Sequence, residues 1–367
     1  MKAGAVFSLE RKVAVVDLDE PEITRPGEVK LRMLEVGVCG TDREICSFRH
    51  GTPPDGADFL VLGHESLGEV VEAGPGVRTL RPGDLAVPMV RHACPDATCA
   101  ACGAGRPDFC YTGGFRERGI KQLHGFMTDL VVEEERYVHR VPRELREVAV
   151  LIEPLTIAEK ALIQLRAIRQ RMPWGETGTR CAIAVVLGAG PVGLLGAMAL
   201  ADRGLQTYVY SLEPEESEKA GIVRSIGASY ISSRMTPINQ LAAKVGNIDL
   251  VYEAAGASQA AFDLLETLGM GGVYVLTGVP RHGEPVSVNT AKLAHNLVLK
   301  NQVVLGTVNA GRDAFEASIR DLAAFYGRWP DAVRSLITRR YPLERFMEPI
   351  FERSGIKNII VLDGARA

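Results

Sequence analysis

Apolar residues fall in two textures along the chain. Up to about residue 150 they come in short, valine-containing runs: EVKLRM from Glu28, LGEVVE from Leu67, DLAVP from Asp84. Turn residues such as Arg81-Pro-Gly-Asp84 separate the runs, which predicts a β-rich unit of many short strands. In TIAEKALIQLRAIR, Thr156 to Arg169, the apolar positions recur at helical spacing. The second texture starts at Cys181, where CAIAVVL reads as a strand buried on both faces. A helix is expected over Leu194 to Arg203 and a strand over Gln206 to Leu212 (QTYVYSL). Further strands should end near Glu253, Gly278 and Gly306. Strands alternating with helices predict a parallel α/β sheet. In the mixed tail, Ile356 to Asp363 (IKNIIVLD) reads as a strand that returns to the first unit.

A length of 367 residues suits two domains. A net charge of -3 with no basic block argues against nucleic acid as a partner. No secretory h-region opens the chain, and no apolar run is long enough to span a membrane, so a cytoplasmic protein is expected. The odd count of seven cysteines argues against a disulfide framework.

Gly188, Gly190, Pro191, Val192 and Gly193 belong to GAGPVG, a G-x-G-x-x-G turn set between a buried strand and a helix. The first glycine permits the tight turn, the second lets a pyrophosphate approach, and the third lets helix and strand pack closely. The helix N-terminus offers free N–H groups to the phosphates. At the end of the next strand, Ser211 and Glu213 supply an acid 20 residues beyond Gly193. An acid there binds ribose hydroxyls and repels a 2′-phosphate, which points to NAD rather than NADP. The same glutamates would also solvate a helix start after Pro214.

Cys94, Cys99, Cys102 and Cys110 offer four thiolates from one loop. Four sulfurs complete tetrahedral zinc and leave no position for substrate, so this site would be structural. Nothing else suggests an iron–sulfur protein, and no recognition helix suggests a DNA-reading finger. A second set, Cys39, Thr41, Asp42 and Glu44 with His64 and Glu65, offers a thiolate, an imidazole and carboxylates. Catalytic zinc takes three such ligands and keeps one position open. Taken singly, Cys39 reads as a small buried hydrophobe and His64 as an interior histidine; their combination suggests metal.

These motifs, in this order, resemble the zinc-containing medium-chain dehydrogenase/reductase family. The resemblance spans essentially the whole chain and is nearest to the glucose dehydrogenase branch known from archaea. CGTDREI from Cys39, GRPDFC from Gly105, HGFM from His124, EPL from Glu153 and TVN from Thr307 carry it. It implies a GroES-like β-rich catalytic domain over 1–165 and 312–367, and a doubly wound Rossmann domain over 166–311. It implies two zinc ions per chain and a nicotinamide cofactor. Cys39 and His64 would ligate the catalytic zinc, with Glu65 and Glu153 as further ligands, direct or through water. Thr41 would bond the reacting oxygen and pass its proton on, Asp42 would orient His64, and Glu44 stands where alcohol-oxidising relatives carry a relay histidine. Thr277, Val279 and Asn309 would join the Gly188–Gly193 turn in holding the cofactor. Thr41, Glu153 and Asn309 would face the substrate.

The implied reaction is oxidation of a sugar hydroxyl, as of an aldose to its lactone, or of a related polyol. In sugar-oxidising relatives an amide before the cysteine loop and a carboxylate after it contact sugar hydroxyls; here those positions are Val90 and Gly114, and Ile157 stands where some relatives carry an acid. His92, Arg116, Glu117 and Arg118 offer charges for an acidic or phosphorylated substrate, or form a wet loop. An alcohol- or threonine-type dehydrogenase, a zinc-free reductase and a non-catalytic NAD-binding sensor are the rival readings. The Cys39, Thr41, His64 and Glu65 set favours an enzyme. The family's habit points to a homo-oligomer, a dimer or tetramer.

Overall fold

The computed structural model describes residues 1–171, 182–280, 285–352 and 354–362. Cys181 and Asp363, at the ends of two expected strands, lie outside them. The chain forms two compact units: Met1–Thr156 with Asn309–Tyr326 and Val333–Ala367, and Ile157–Val308 with Gly327–Ala332.

The second unit is built on a six-stranded parallel sheet. In spatial order its strands are Ser229–Ser232, Gln206–Ser211, Ile183–Leu187, Ile248–Glu253, Leu268–Leu276 and Val303–Gly306. In chain order this is 3-2-1-4-5-6, the doubly wound Rossmann arrangement. Every residue of Ile183–Leu187 is buried, because helices cover both faces of such a sheet. The helix Pro191–Asp202 follows the glycine turn and buries everything from Gly193 to Leu200.

The first unit is β-rich. Its main sheet runs Val138–Val141, Leu85–Pro88, Glu65–Ala73, Glu28–Gly37, Lys357–Val361 and Ile337–Pro342, with Leu130–Glu134 also paired to Glu28–Gly37. Leu31, Met33, Val36, Phe126, Met127, Phe346 and Ile360 pack into one core. The C-terminal strand returns here as expected, antiparallel to Glu28–Gly37 with Ile360 opposite Val36.

The division between the two compact units falls after Thr156 and after Val308. The reason lies in the partners of the helix Ile152–Arg169. Its Ala158, Ala161, Leu162 and Leu165 line one small void with Gly196, Leu200, Leu250 and Val275 of the parallel-sheet unit. The Gln164 amide donates to Thr307 Oγ1 at 2.6 Å and Lys160 Nζ to the Val308 carbonyl at 2.9 Å. The helix also starts earlier than its apolar spacing suggests, at Ile152. Glu153 and Pro154 therefore occupy its first turn, where proline costs no hydrogen bond.

Candidate active site

The strand Glu28–Gly37 runs out into Val38 and Cys39, and Cys39 caps the helix Gly40–Cys46. The Cys39 N–H donates to Asp42 Oδ2 at 2.7 Å, so a carboxylate three residues on fixes the cysteine backbone. The other Asp42 oxygen lies 3.5 Å from His64 Nδ1, and both side chains are buried. His64 leaves Gly63, whose φ of +88° is left-handed and whose Cβ would press on Val36 and the Met127 backbone. Thr41 Oγ1 lies 3.9 Å from Cys39 Sγ. Glu44 sits three residues further along the same helix, on the same face.

Glu65 begins the next strand and pairs with Gly37. A side chain at Gly37 would run into the Glu65 carboxylate. From the strand on the other side of Glu28–Gly37, Lys357 Nζ donates to Glu65 Oε2 at 2.5 Å and to the Val38 carbonyl at 3.1 Å. One donor atom each from Cys39, His64 and Glu65 lie within 4.8 Å of one another. Lys357 was not anticipated. Its only signal is a lone cation near the start of the largely apolar run IKNIIVLD.

Glu153 does not belong to that close set. It stays within electrostatic reach: burial first, then repulsion from Glu65 and Asp42, push its carboxyl up to about 7 against the pull of His64 and Lys357. Burial alone would lower the pKa of His64. The Asp42 carboxylate and then Cys39 outweigh it and hold the imidazole well above its ordinary value.

Cys94, Cys99, Cys102 and Cys110 likewise bring their sulfurs within 4.8 Å of one another. The Cys94 N–H donates to Cys102 Sγ at 3.4 Å, and Cys99 Sγ stands 4.0 Å from Cys110 Sγ. Of the four charged residues His92, Arg116, Glu117 and Arg118, only Arg116 is exposed. His92 is buried, stacked on Tyr137 at 3.8 Å, with Nε2 3.1 Å from Glu133. Glu117 is buried against Arg91 at 2.9 Å. Arg118 donates to Glu133 at 2.9 Å and to the carbonyls of His124 and Val132. Buried charges need partners, and these have consumed each other. Val90 lies in the apolar core.

In the second unit two glycines of the turn have the steric roles their spacing predicts, and the remaining one, Gly190, faces open space. Gly188 has φ +102°, a Cβ on Gly193 would strike the Gly188 carbonyl, and a Cβ on Gly190 would meet nothing within 4 Å. The second glycine thus leaves open space before the N-terminus of Pro191–Asp202. Ser211 donates to Glu213 Oε2 at 2.6 Å. The next helix, Glu218–Ser225, brings the Lys219 ammonium onto Glu213 Oε1. Burial would raise the Glu213 carboxyl, and Lys219 with Ser211 pulls it below its ordinary value. Thr277 is buried and donates to the Glu253 carbonyl at 2.6 Å, whereas Val279 is exposed. Asn309, in the first unit, has a left-handed φ of +56°. Glu253 was also unanticipated. Its carboxylate accepts from Ala255, Gly256 and Gly278 N–H at 2.7–3.0 Å and so joins two loops at the strand ends.

Residues 25–143 match the alcohol dehydrogenase GroES-like domain, and residues 146–362 match the glucose dehydrogenase C-terminus. The glucose 1-dehydrogenase of Methanocella arvoryzae is 42% identical over 351 residues, 95% of each chain. That of Thermoproteus tenax is 40% identical over 338 residues, 91% of this chain and 92% of its own. The Haloferax mediterranei glucose dehydrogenase, solved in complex with NADP, Zn and gluconolactone, superposes with a TM-score of 0.88 at 33% identity, covering 100% of both chains.

Proposed function

The chain belongs to the zinc-containing medium-chain dehydrogenase/reductase family, in its glucose 1-dehydrogenase branch, and is an oxidoreductase acting on CH–OH donors; from this we propose that it oxidises a hydroxyl of an aldose or related polyol with zinc and a nicotinamide cofactor. The observation that carries the reading is the meeting of Cys39, His64 and Glu65 beside Thr41.

The donor sets suit zinc. One sulfur, one imidazole and one carboxylate are a catalytic complement, and four sulfurs are a structural one. We therefore assign two zinc ions per chain, one at Cys39, His64 and Glu65 with Glu153 as a neighbouring carboxylate, one at Cys94, Cys99, Cys102 and Cys110. The space before Gly190 suits a pyrophosphate. Bound zinc supplies a Lewis acid for the substrate hydroxyl, and bound nicotinamide supplies the hydride acceptor. The chain does the rest. The Thr41 hydroxyl would take up the substrate hydroxyl proton as it gives its own toward Glu44, on the same helix face, which would pass it outward. Asp42 holds the His64 ring, as a carboxylate beside a ligating imidazole does. Lys357 keeps Glu65 in place, and Asn309 contacts the substrate.

NAD remains the favoured cofactor, because Glu213 presents a carboxylate to the ribose; the Lys219 partner softens its rejection of a 2′-phosphate. Val90 and Gly114 favour a panel that includes polyols beside aldoses, since neither side chain can bond a sugar hydroxyl. Free thiols suit a reducing cytoplasm. Among the described residues no helix is long and apolar enough to cross a membrane. We also assign a homo-oligomer. The edge strand Val303–Gly306 has one unpaired side, and the helix Thr290–Leu299 buries none of its residues, leaving Val298 and Leu299 73% and 61% exposed. Light scattering that finds a monomer would remove this assignment.

The central test is zinc counting with a substrate panel. Two zincs per chain and faster turnover of aldoses or polyols with NAD are expected. Cys39→Ser should abolish turnover and keep one zinc; retained turnover sinks the site assignment.

A further inference from the structure

The segment GRPDFC, Gly105 to Cys110, gives the cysteine loop only its last sulfur. Its charged residues have another arrangement. Arg106 grips Asp108 bidentately, Nε to Oδ1 at 3.0 Å and the terminal nitrogen to Oδ2 at 2.8 Å. The Asp108 side chain is wholly buried. A guanidinium and a carboxylate joined in this way form a rigid planar unit. Arg106 also lies 3.5 Å from Asp313 and covers the Phe109 ring at 4.9 Å. Its own backbone N–H donates to the Ala101 carbonyl at 2.8 Å, which ties the pair to the cysteine-bearing turn.

The chain at Gly311 packs directly on this unit. A Cβ there would lie 3.2 Å from Asp108 Oδ1, 3.4 Å from Arg106 Nε and 3.0 Å from Asp313 Oδ1, so only glycine fits without displacement. Ala310 is buried beside it. Asn309, two residues earlier, is in the left-handed region with φ +56°. Asparagine adopts that conformation more readily than other non-glycine residues, so where the turn sits depends on what the flanking chain packs against. Here the flanking chain passes close by the Asp108 and Arg106 side chains of the cysteine loop at Gly311.

We infer that Arg106 and Asp108 are positioning residues that hold the Asn309 turn, so that the cysteine loop anchors a substrate-contacting segment as well as folding itself. The inference rests on the reading of Asn309 as a substrate contact. It assigns a purpose to the link between two motifs far apart in the chain.

The test uses the zinc-loaded, full-length protein and three variants: Asp108→Asn, Asn309→Ala and the double variant. Asp108→Asn should keep two zincs per chain, raise KM for the hydroxyl substrate about tenfold with a smaller change in kcat, and speed amide exchange at Ala310 and Gly311 about tenfold. In the Asn309→Ala background the KM effect of Asp108→Asn should vanish, since both act through one side chain. Unchanged exchange at 310–311, or KM effects that simply multiply, would overturn the inference. So would a KM effect found only where loop zinc is lost. If Asp108→Asn does not fold, Arg106→Gln carries the same measurements. Asn309→Ala with unchanged KM would bring down the reading of Asn309, while the exchange rates still decide whether the clamp exists.

Discussion

Gly37 and Glu65 face each other across paired strands, and the missing side chain at 37 is what gives the Glu65 carboxylate room. Lys357 completes the arrangement. Burial would lower its pKa, but Glu65 and then Cys39 hold it above the ordinary lysine value, so it stays charged. Removing the lysine leaves a carboxylate buried without its partner. Lys357→Met should therefore cost about 3–5 kcal/mol of stability. The loss should be larger in zinc-stripped protein, where no metal balances the charge of Glu65. Urea unfolding with and without a chelator measures this; a cost below about 1 kcal/mol in both states would show the pair to be unimportant. Gly37→Ala should push Glu65 off Lys357. We expect it to weaken retention of the zinc at Cys39 and to leave the four-cysteine zinc in place, as read by timed chelator release; equal release rates in variant and parent would refute it.

At the scale of elements, the glycine turn was legible because two of its three glycines have steric jobs that spacing alone reveals. Glu253 was not, because an acid at the end of a buried strand looks like any strand terminus. Its three accepted bonds link the loop after Ile248–Glu253 to the loop after Leu268–Leu276, which carries Thr277 and Val279. Glu253→Gln must turn an N–H₂ group toward at least one backbone N–H. It should cost about 2 kcal/mol and weaken nicotinamide binding severalfold, with little change in KM for the hydroxyl substrate. Fluorescence titration with NADH checks this, and unaltered affinity would mean that the two loops hold themselves. The same limit applies to Lys219 and to the charges around the cysteines. Sequence distance said nothing of which helix would return Lys219 to Glu213, or that Arg118 and His92 would both meet Glu133 inside the first unit.

Across the whole chain, both folds and the return of the C-terminal strand were legible from periodicity and motif order, while the division at Thr156 shows only in the packing. One helix runs through it, and only its packing partners say where each half belongs. The acid stability of the chain also depends on distant pairings, all within the first unit. His139 is buried and stacked on Phe315 at 5.3 Å; burial, then Arg312, drive its pKa down to about 4. Glu133 is pulled down to about 2, against burial, by Arg118 and then His92. Both pKa values are depressed on folding, so both groups stabilise the fold above their unfolded pKa values and lose that contribution as pH falls. For His139 the loss runs from about 6.5 to about 4, and for Glu133 from about 4.5 to about 2. Each is worth roughly 3 kcal/mol when fully lost. The His139 part of the urea midpoint of the first unit should therefore fall below about pH 6.5, in the range where the raised Glu153 carboxyl titrates with the opposite sign, and the Glu133 part should fall below about pH 4.5. His139→Phe keeps the ring against Phe315 and removes the titration. It should flatten the first fall and leave the second, whereas a first fall of undiminished size in that variant would assign the loss to another group.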